Sequence, residues 1–247
     1  MPKTPEQLDR EKESAARAVL PWVRSGMRLG LGSGSTSRCF IRALGERVRE
    51  GTLSITAIAA SKESESLAAE YGIPLIAPAR DLRLDLAVDG ADEIAPDLSL
   101  IKGGGGALLR EKAIAVASRY FLVIADSTKL VQSLGTFPLP IEVIPFTLPW
   151  VLDQVEALGG HPVQRVVSQP SPSPYKTDQG NYIVDCHFGN IEDPSGLARK
   201  LEKIPGVAEH GFFIGLTRAA VIAEEGEAFV YQPETKVRWI QQFDTLP

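Results

Sequence analysis

Thr4-Pro5-Glu6-Gln7 places a hydroxyl before a helix, a proline at its first position and an amide at its third, which is the capping-box pattern. It predicts a helix running to about Val23. Apolar residues in Met27-Arg28-Leu29-Gly30-Leu31 then read as a short strand ending in glycines, and Thr36 to Arg49 carries apolar positions at helical spacing. The alternation continues with strand Ile55 to Ala59, helix Ser61 to Tyr71, strand Leu84 to Val88, helix Ala107 to Ala117 and strand Tyr120 to Ala125. Strands that alternate with helices predict an α/β fold, a parallel sheet with helices on both faces.

The texture changes after Leu134-Gly135-Thr136-Phe137-Pro138-Leu139-Pro140, where prolines become frequent and strands alternate in polarity. Strand Ile141 to Pro145, helix Trp150 to Ala157, strands Pro162 to Val167 and Asn181 to Phe188, helix Pro194 to Lys203 and strand Val207 to Phe213 follow. Their order, βαββαβ, is that of a ferredoxin-like unit. Ser168-Gln169-Pro170-Ser171-Pro172-Ser173-Pro174 is stiff and extended by composition, and its place between two strands marks a hairpin excursion. Strands at Ala219 to Ala223 and Ala228 to Tyr231 return to the first sheet or bridge the modules. The expected division is a Rossmann-like domain of residues 1–136 plus 214–247, with a smaller ferredoxin-like α+β domain, 137–213, inserted near the C-terminus.

The length of 247 residues suits one or two domains, and 44% hydrophobic with 23% charged residues suits a packed core. Lys and Arg total 26 against 31 Asp and Glu, a net charge of -5, so the electrostatic footprint of a nucleic-acid binder is missing. An anionic small substrate would need a local cluster of donors working against that field. Two cysteines, Cys39 and Cys186, are too few for a disulfide framework or a CxxC metal ladder and fit a reducing, cytoplasmic setting. No apolar run is long enough to span a bilayer, and the charged start is unlike a secretory leader; neither membrane nor export is expected. His161, His187 and His210 all fall in the second module, and each reads as a surface or packing residue, as does Cys186 beside His187 on an alternating strand.

Four segments carry candidate chemistry. Gly30-Leu31-Gly32-Ser33-Gly34-Ser35-Thr36 turns from strand to helix, where backbone N–H groups and a positive dipole end can meet a phosphate. It is a poor dinucleotide fingerprint, since Ser35 stands where a third glycine is wanted, and no Gly-Lys-Ser/Thr follows. A plain tight turn is the alternative; the hydroxyls of Ser33, Ser35 and Thr36 favour phosphate. Asp85-Leu86-Ala87-Val88-Asp89-Gly90-Ala91-Asp92-Glu93 ends a strand in three carboxylates, at the edge where open α/β sheets bind ligands. Solvated turn acids and a divalent-metal site are the competing uses. Lys102-Gly103-Gly104-Gly105-Gly106 costs conformational entropy to order and can present backbone donors to an oxyanion, with Glu111 in the helix that follows. Taken alone, Glu111 could equally be an acid favoured by the helix dipole. Ala125-Asp126-Ser127-Thr128-Lys129 puts a Lys beyond another strand end, or merely on an exposed loop. These segments lie at successive strand ends, and a glutamate base beside a carbonyl is the equipment of proton transfer through an enediol.

Together with Phe137-Pro138-Leu139-Pro140-Ile141-Glu142-Val143, Thr177-Asp178-Gln179-Gly180-Asn181-Tyr182 and Ile204-Pro205-Gly206-Val207-Ala208-Glu209-His210-Gly211, these blocks resemble ribose-5-phosphate isomerase, type A, over nearly the whole chain. The resemblance implies interconversion of ribose 5-phosphate and ribulose 5-phosphate in the pentose phosphate pathway, with no cofactor; that no metal is needed is expected from the lack of a His/Cys ligand set near the strand ends. It implies Glu111 as the base between C1 and C2, and Asp89 and Asp92 for sugar hydroxyls and ring opening. Lys102 with Gly103, Gly104 and Gly105 would stabilise the enediolate. Ser33, Gly34, Ser35 and Thr36 would hold the phosphate with Lys129, to which Lys12 is a further candidate; Gly90 and Ala91 complete the substrate contacts. The family usually has Thr at the positions of Ser33 and Leu109; Ser33 keeps the hydroxyl and Leu109 removes one. A homodimer or homotetramer is implied as well. The competing readings are a related sugar-phosphate isomerase or deaminase, and a sugar-phosphate sensor domain. The sensor is disfavoured by the single short helix before Gly30 and by Glu111 beside an oxyanion loop.

Overall fold

The computed structural model describes residues 3–168, 171–232 and 235–237. Met1, Pro2, Gln169, Pro170, Pro233, Glu234 and residues 238–247 of the predicted domains lie outside them. In chain order the elements are helix α1 (Pro5–Ala18), β1 (Arg28–Leu31), α2 (Gly34–Arg49), β2 (Thr56–Ala59), α3 (Lys62–Glu70), β3 (Leu86–Asp89), β4 (Glu93–Ile94) and β5 (Leu100–Ile101). Next come α4 (Leu108–Ala117), β6 (Phe121–Asp126), β7 (Leu139–Val143), α5 (Leu148–Ala157), β8 (His161–Gln164), β9 (Val166–Val167), β10 (Ser173–Pro174) and β11 (Tyr182–His187). The last are α6 (Pro194–Leu201), β12 (Val207–His210), β13 (Phe212–Phe213), β14 (Ala219–Glu224), β15 (Glu227–Gln232) and β16 (Thr235–Val237).

The chain forms two compact units: residues 1–91, 110–130 and 215–247, and residues 92–109 with 131–214. The segment 92–109, and with it residues 131–136 and Ile214, all expected with the first domain, belongs to the second unit. The reason is pairing that no local pattern discloses: β5 pairs antiparallel with β13 and with β4, forming a three-stranded sheet of very short strands. The predicted strand Val207 to Phe213 is accordingly two strands, β12 and β13, in different sheets.

In the first unit, seven strands run in the order β16-β15-β14-β6-β3-β1-β2. The five from β14 to β2 are parallel, and the hairpin from β14 through β15 to β16 adds an antiparallel edge. Strands Ala219 and Ala228 onward thus return to the first sheet. Thr4 caps α1 with the reciprocal Gln7 bonds predicted, although the helix stops at Ala18 and Leu20–Trp22 forms a 3-10 turn with Pro21. On one sheet face Leu29, Leu31, Leu86, Val88, Leu122 and Ile124 are buried in one core with Ala15, Val19, Phe40, Ile41 and Leu44 of the α1 and α2 region. Apart from Ala15, each of these side chains contributes about 1.5–3 kcal/mol on burial. On the opposite face Gly30 makes room for α4: a Cβ there would lie 2.3 Å from Ile114 Cγ2. Glu111 precedes Ile114 by three residues, on the same side of α4, and is buried.

In the second unit, four antiparallel strands in the order β12-β7-β11-β8 have α5 and α6 as their connecting helices, the ferredoxin-like arrangement. Leu139, Ile141, Val143, Val184 and Cys186 share its core with Val151 and Val155 of α5 and Leu201 of α6. Cys186 is fully buried, which pushes its thiol far above the usual range, while neighbouring His187 is exposed. His161 is also exposed, and buried His210 stacks edge-on to Phe212 at 5.7 Å. The proline-rich excursion is a short hairpin, β9 against β10.

Candidate active site

In the first unit, the turn between β1 and α2 is organised by Asp89 at the end of β3. Its Oδ1 accepts from the Ser33 backbone N–H at 3.0 Å, the Ser37 hydroxyl at 2.8 Å and the Gly90 N–H at 2.7 Å. Gly34 has φ 85°, a left-handed conformation that favours glycine and starts α2 directly after Ser33. The N–H groups of Gly34, Ser35 and Thr36 then lie in the first turn, where a helix offers donors without intrahelical acceptors. A chain of hydroxyls fixes the turn from behind: Ser33 Oγ donates to Ser61 Oγ at 3.2 Å, Ser61 Oγ to Ser64 Oγ at 3.0 Å, and Ser64 Oγ to the Gly32 carbonyl at 2.7 Å. Ser61 also caps α3. Thr36 borders Gly90, whose Cβ position would be 3.6 Å from Thr36 Cβ. Asp89, Gly90 and the Ser33–Thr36 turn are therefore one cluster. The structure does not join Lys129 to them by contact: it ends a 3-10 turn capped by Asp126, and among the described residues its side chain makes no hydrogen bond or ion pair. Lys12 pairs with Asp9 of its own helix at 3.0 Å.

In the second unit, Lys102 leaves β5 and is buried, its backbone N–H bonded to the Gly211 carbonyl at 2.9 Å and its ammonium 5.4 Å from the Phe213 ring centroid. The glycine run turns tightly after it, with the Gly106 N–H on the Gly103 carbonyl at 2.9 Å and φ of 106° at Gly103 and 78° at Gly106. Asp92 Oδ2 accepts the Gly104 N–H at 2.8 Å, and a Cβ on Gly104 would lie 2.6 Å from Asp92 Oδ1, so a side chain there would have to displace that carboxylate. The third acid of the motif is spent on structure: buried Glu93 accepts the backbone N–H groups of Gly135 and Phe137 at 2.7 and 2.5 Å. Solvated turn acids, the alternative for this motif, are thus absent at Asp89 and Glu93, both buried.

Sequence reasoning passed over Ser37, Ser61, Ser64 and Arg165, the last of which holds the glycine run by two carbonyls. A serine at a helix N-cap was the available signal for Ser61. For Arg165 no local signal exists, because Gly103 is 62 residues away. Among the described residues no group of three or more His, Cys, Asp or Glu side chains could hold a metal ion, and no helix is long and apolar enough to cross a membrane.

The family model for ribose 5-phosphate isomerase A (phosphoriboisomerase A) matches residues 56–227. The chain belongs to that family. The matched span holds Asp89, Asp92, Lys102, the glycine run, Glu111 and Lys129, while the Gly30–Thr36 turn precedes it. A relative from Nitrobacter hamburgensis named ribose-5-phosphate isomerase A is 52% identical over 220 residues, covering 87% of this chain and 94% of its own. Among solved structures, ribose 5-phosphate isomerase A of Methanocaldococcus jannaschii is 38% identical with a TM-score of 0.85, covering 90% of this chain and 97% of that one. A D-ribose-5-phosphate isomerase solved with phospho-erythronic acid is 35% identical with a TM-score of 0.88, over 91% and 99% of the two chains. The family is one of isomerases, so the sensor and deaminase readings give way to an enzyme of this class.

Proposed function

We propose that this chain interconverts D-ribose 5-phosphate and D-ribulose 5-phosphate, as a step of the non-oxidative pentose phosphate pathway, through an enediolate. The observation that carries the proposal is family membership over nearly the full length, at up to 52% identity among the relatives described, with the implied site residues present in this chain and Ser33 keeping a hydroxyl where the family usually has Thr. The N–H donors opening α2, with Ser33, Ser35 and Thr36, supply what a phosphate dianion needs in an acidic protein. Lys129 adds a cation.

The proposed chemistry assigns one task to each remaining group. Asp89 and Asp92 handle the sugar hydroxyls as the furanose opens to the aldehyde. Glu111 then takes the proton from C2; the C2–H electrons form the C1–C2 double bond, and O1 becomes an oxyanion. Lys102 and the glycine loop of Gly103, Gly104 and Gly105, through the Gly105 N–H, stabilise that oxyanion. A proton passes from O2 to O1, and Glu111 returns its proton to C1, so the balance needs no redox cofactor. Gly90 and Ala91 border the sugar. The phospho-erythronic acid bound by the relative carries two oxygens on one planar carbon, as an enediolate does on two. The free thiols Cys39 and Cys186 support a cytoplasmic setting, and the family resemblance supports a homodimer or homotetramer, which sedimentation checks.

The test is ribose 5-phosphate in deuterated water. Ketose should form, and recovered ribose 5-phosphate should carry deuterium at C2. Binding without either change is the outcome a sensor would give and would overturn the reading.

A further inference from the structure

We infer that Arg165, braced by Asp185, is a positioning residue that sets the peptide orientation of the glycine loop and thereby aims the Gly105 N–H at the enediolate. The inference rests on the reaction proposed above. Arg165 follows β8, and in the β8–β11 register Val163 pairs with Asp185, which puts Arg165 diagonally across from it on the same face. The guanidinium is locked by a two-pronged bond, Nε to Asp185 Oδ2 at 2.8 Å and Nη2 to Oδ1 at 2.5 Å. Its third nitrogen, Nη1, reaches the carbonyls of Gly103 at 3.1 Å and Gly104 at 2.9 Å. Tyr175 finishes the series, its hydroxyl donating to the Gly105 carbonyl at 3.2 Å.

In a trans peptide the C=O and the next N–H point in opposite directions. With the Gly103 and Gly104 carbonyls turned to Arg165, the N–H groups of Gly104 and Gly105 point to the other side of the loop. Asp92 marks that side, since it accepts the Gly104 N–H. The Gly106 N–H is spent on Gly103, so the Gly105 N–H is the donor this arrangement presents beside Asp92. Gly104 and Gly105 are both exposed and carry no side chain to resist a peptide flip, which would replace an N–H with a carbonyl and repel the oxyanion. A planar five-donor fork can brace Asp185 and two carbonyls together; a lysine ammonium cannot do so in the same geometry.

The experiment compares wild type with Arg165→Met, Arg165→Lys, Asp185→Asn and Tyr175→Phe in kcat, KM and inhibitor affinity. Removal of one oxyanion donor typically costs about 10²–10³-fold in kcat, so Arg165→Met should lose about 10²-fold with KM for ribose 5-phosphate changed less than about threefold. Arg165→Lys and Asp185→Asn should fall between it and wild type. The discriminating readout is inhibition by 4-phosphoerythronate, with its planar anionic end, against ribitol 5-phosphate, which has none. The Arg165 variants should weaken the first by at least about tenfold, consistent with lost transition-state complementarity, and leave the second near wild type. Equal weakening of both inhibitors, or kcat within threefold of wild type, overturns the inference. Should Arg165→Met not fold, the same split must appear in Arg165→Lys and Asp185→Asn, and its absence there is equally fatal. A wild-type protein that leaves ribose 5-phosphate unchanged overturns the proposed reaction instead, a result legible without any variant.

Discussion

A Cβ on Gly32 would lie 2.0 Å from Oδ1 of Asp89, the same oxygen that accepts from Ser33, Ser37 and Gly90. This glycine, at the turn between β1 and α2, is therefore a condition for a carboxylate 57 residues later in the chain to hold that turn. Gly32→Ala must push Asp89 or β1 aside. Overpacking of this kind costs about 1–3 kcal/mol, and the displaced turn should raise KM for ribose 5-phosphate and lower kcat together. Thermal unfolding with steady-state kinetics measures both; a variant with wild-type KM and kcat would show that Asp89 does not organise the turn.

Glu111→Gln keeps the size of the side chain and removes the base. Loss of a general base typically costs about 10²–10⁴-fold, and here it should fall on kcat while KM stays near wild type, with no deuterium entering C2. A kcat within about tenfold of wild type would pass the role to Asp89.

Lys129 ends its 3-10 turn and, among the described residues, its side chain makes no hydrogen bond or ion pair, which leaves its ammonium for the proposed phosphate contact. Hydrogen bonds to charged groups are worth about 1.5–3 kcal/mol, so Lys129→Ala should raise KM about tenfold or more and weaken inhibition by ribitol 5-phosphate in parallel. Unchanged values for both would make Lys129 a surface residue.

Glu142 of β7 is fully buried in the second unit, and that burial raises its pKa, with Glu209 across the β7–β12 pairing adding to the shift. Hydrogen bonds from Asn181 and Thr177, both 2.9 Å to Oε1, oppose the shift, as does the Leu109 backbone at the start of α4. A carboxyl whose folded pKa is raised holds more protons folded than unfolded. Its contribution to stability is complete below the ordinary glutamate range and is lost as pH rises through the folded value. Glu142→Gln removes that loss. Urea midpoints from acid to neutral pH should show the variant gaining on wild type as pH rises; parallel profiles would mean that Glu142 does not titrate this way.

An acid-side counterpart lies in the first unit. Burial of Glu11 alone would raise its pKa, but Lys3 at 2.6 Å and the backbone N–H groups of Glu225 and Ser127 hold it below the ordinary value. Stability from this group is present above the unfolded pKa and lost as pH falls through the depressed one. Glu11→Gln should therefore flatten the acid limb of the unfolding profile while costing stability at neutral pH. An unchanged acid limb would place the acid sensitivity of the first unit elsewhere.

The chain by itself determined whatever depends on neighbours in sequence. Thr4 to Gln7 caps α1 because both partners of the box lie within one turn. The βα alternation and the βαββαβ order are legible because the side-chain periods of 3.6 and 2 are local. The glycine turn, the acidic strand end and the four-glycine run could be marked as candidates for the same reason. Tertiary structure alone decided which unit residues 92–109 join, since β5 finds β13 more than a hundred residues later through only two register pairs. It decided that Glu93 serves the backbone of Gly135 and Phe137 while Asp89 holds the turn between β1 and α2, although the two stand four residues apart. It also decided that Arg165 braces the glycine loop. The physical reason is common to all three: a carboxylate or guanidinium bonds whatever donor or acceptor the fold carries within about 3 Å, and no periodicity encodes a distance between residues that pairing brings together.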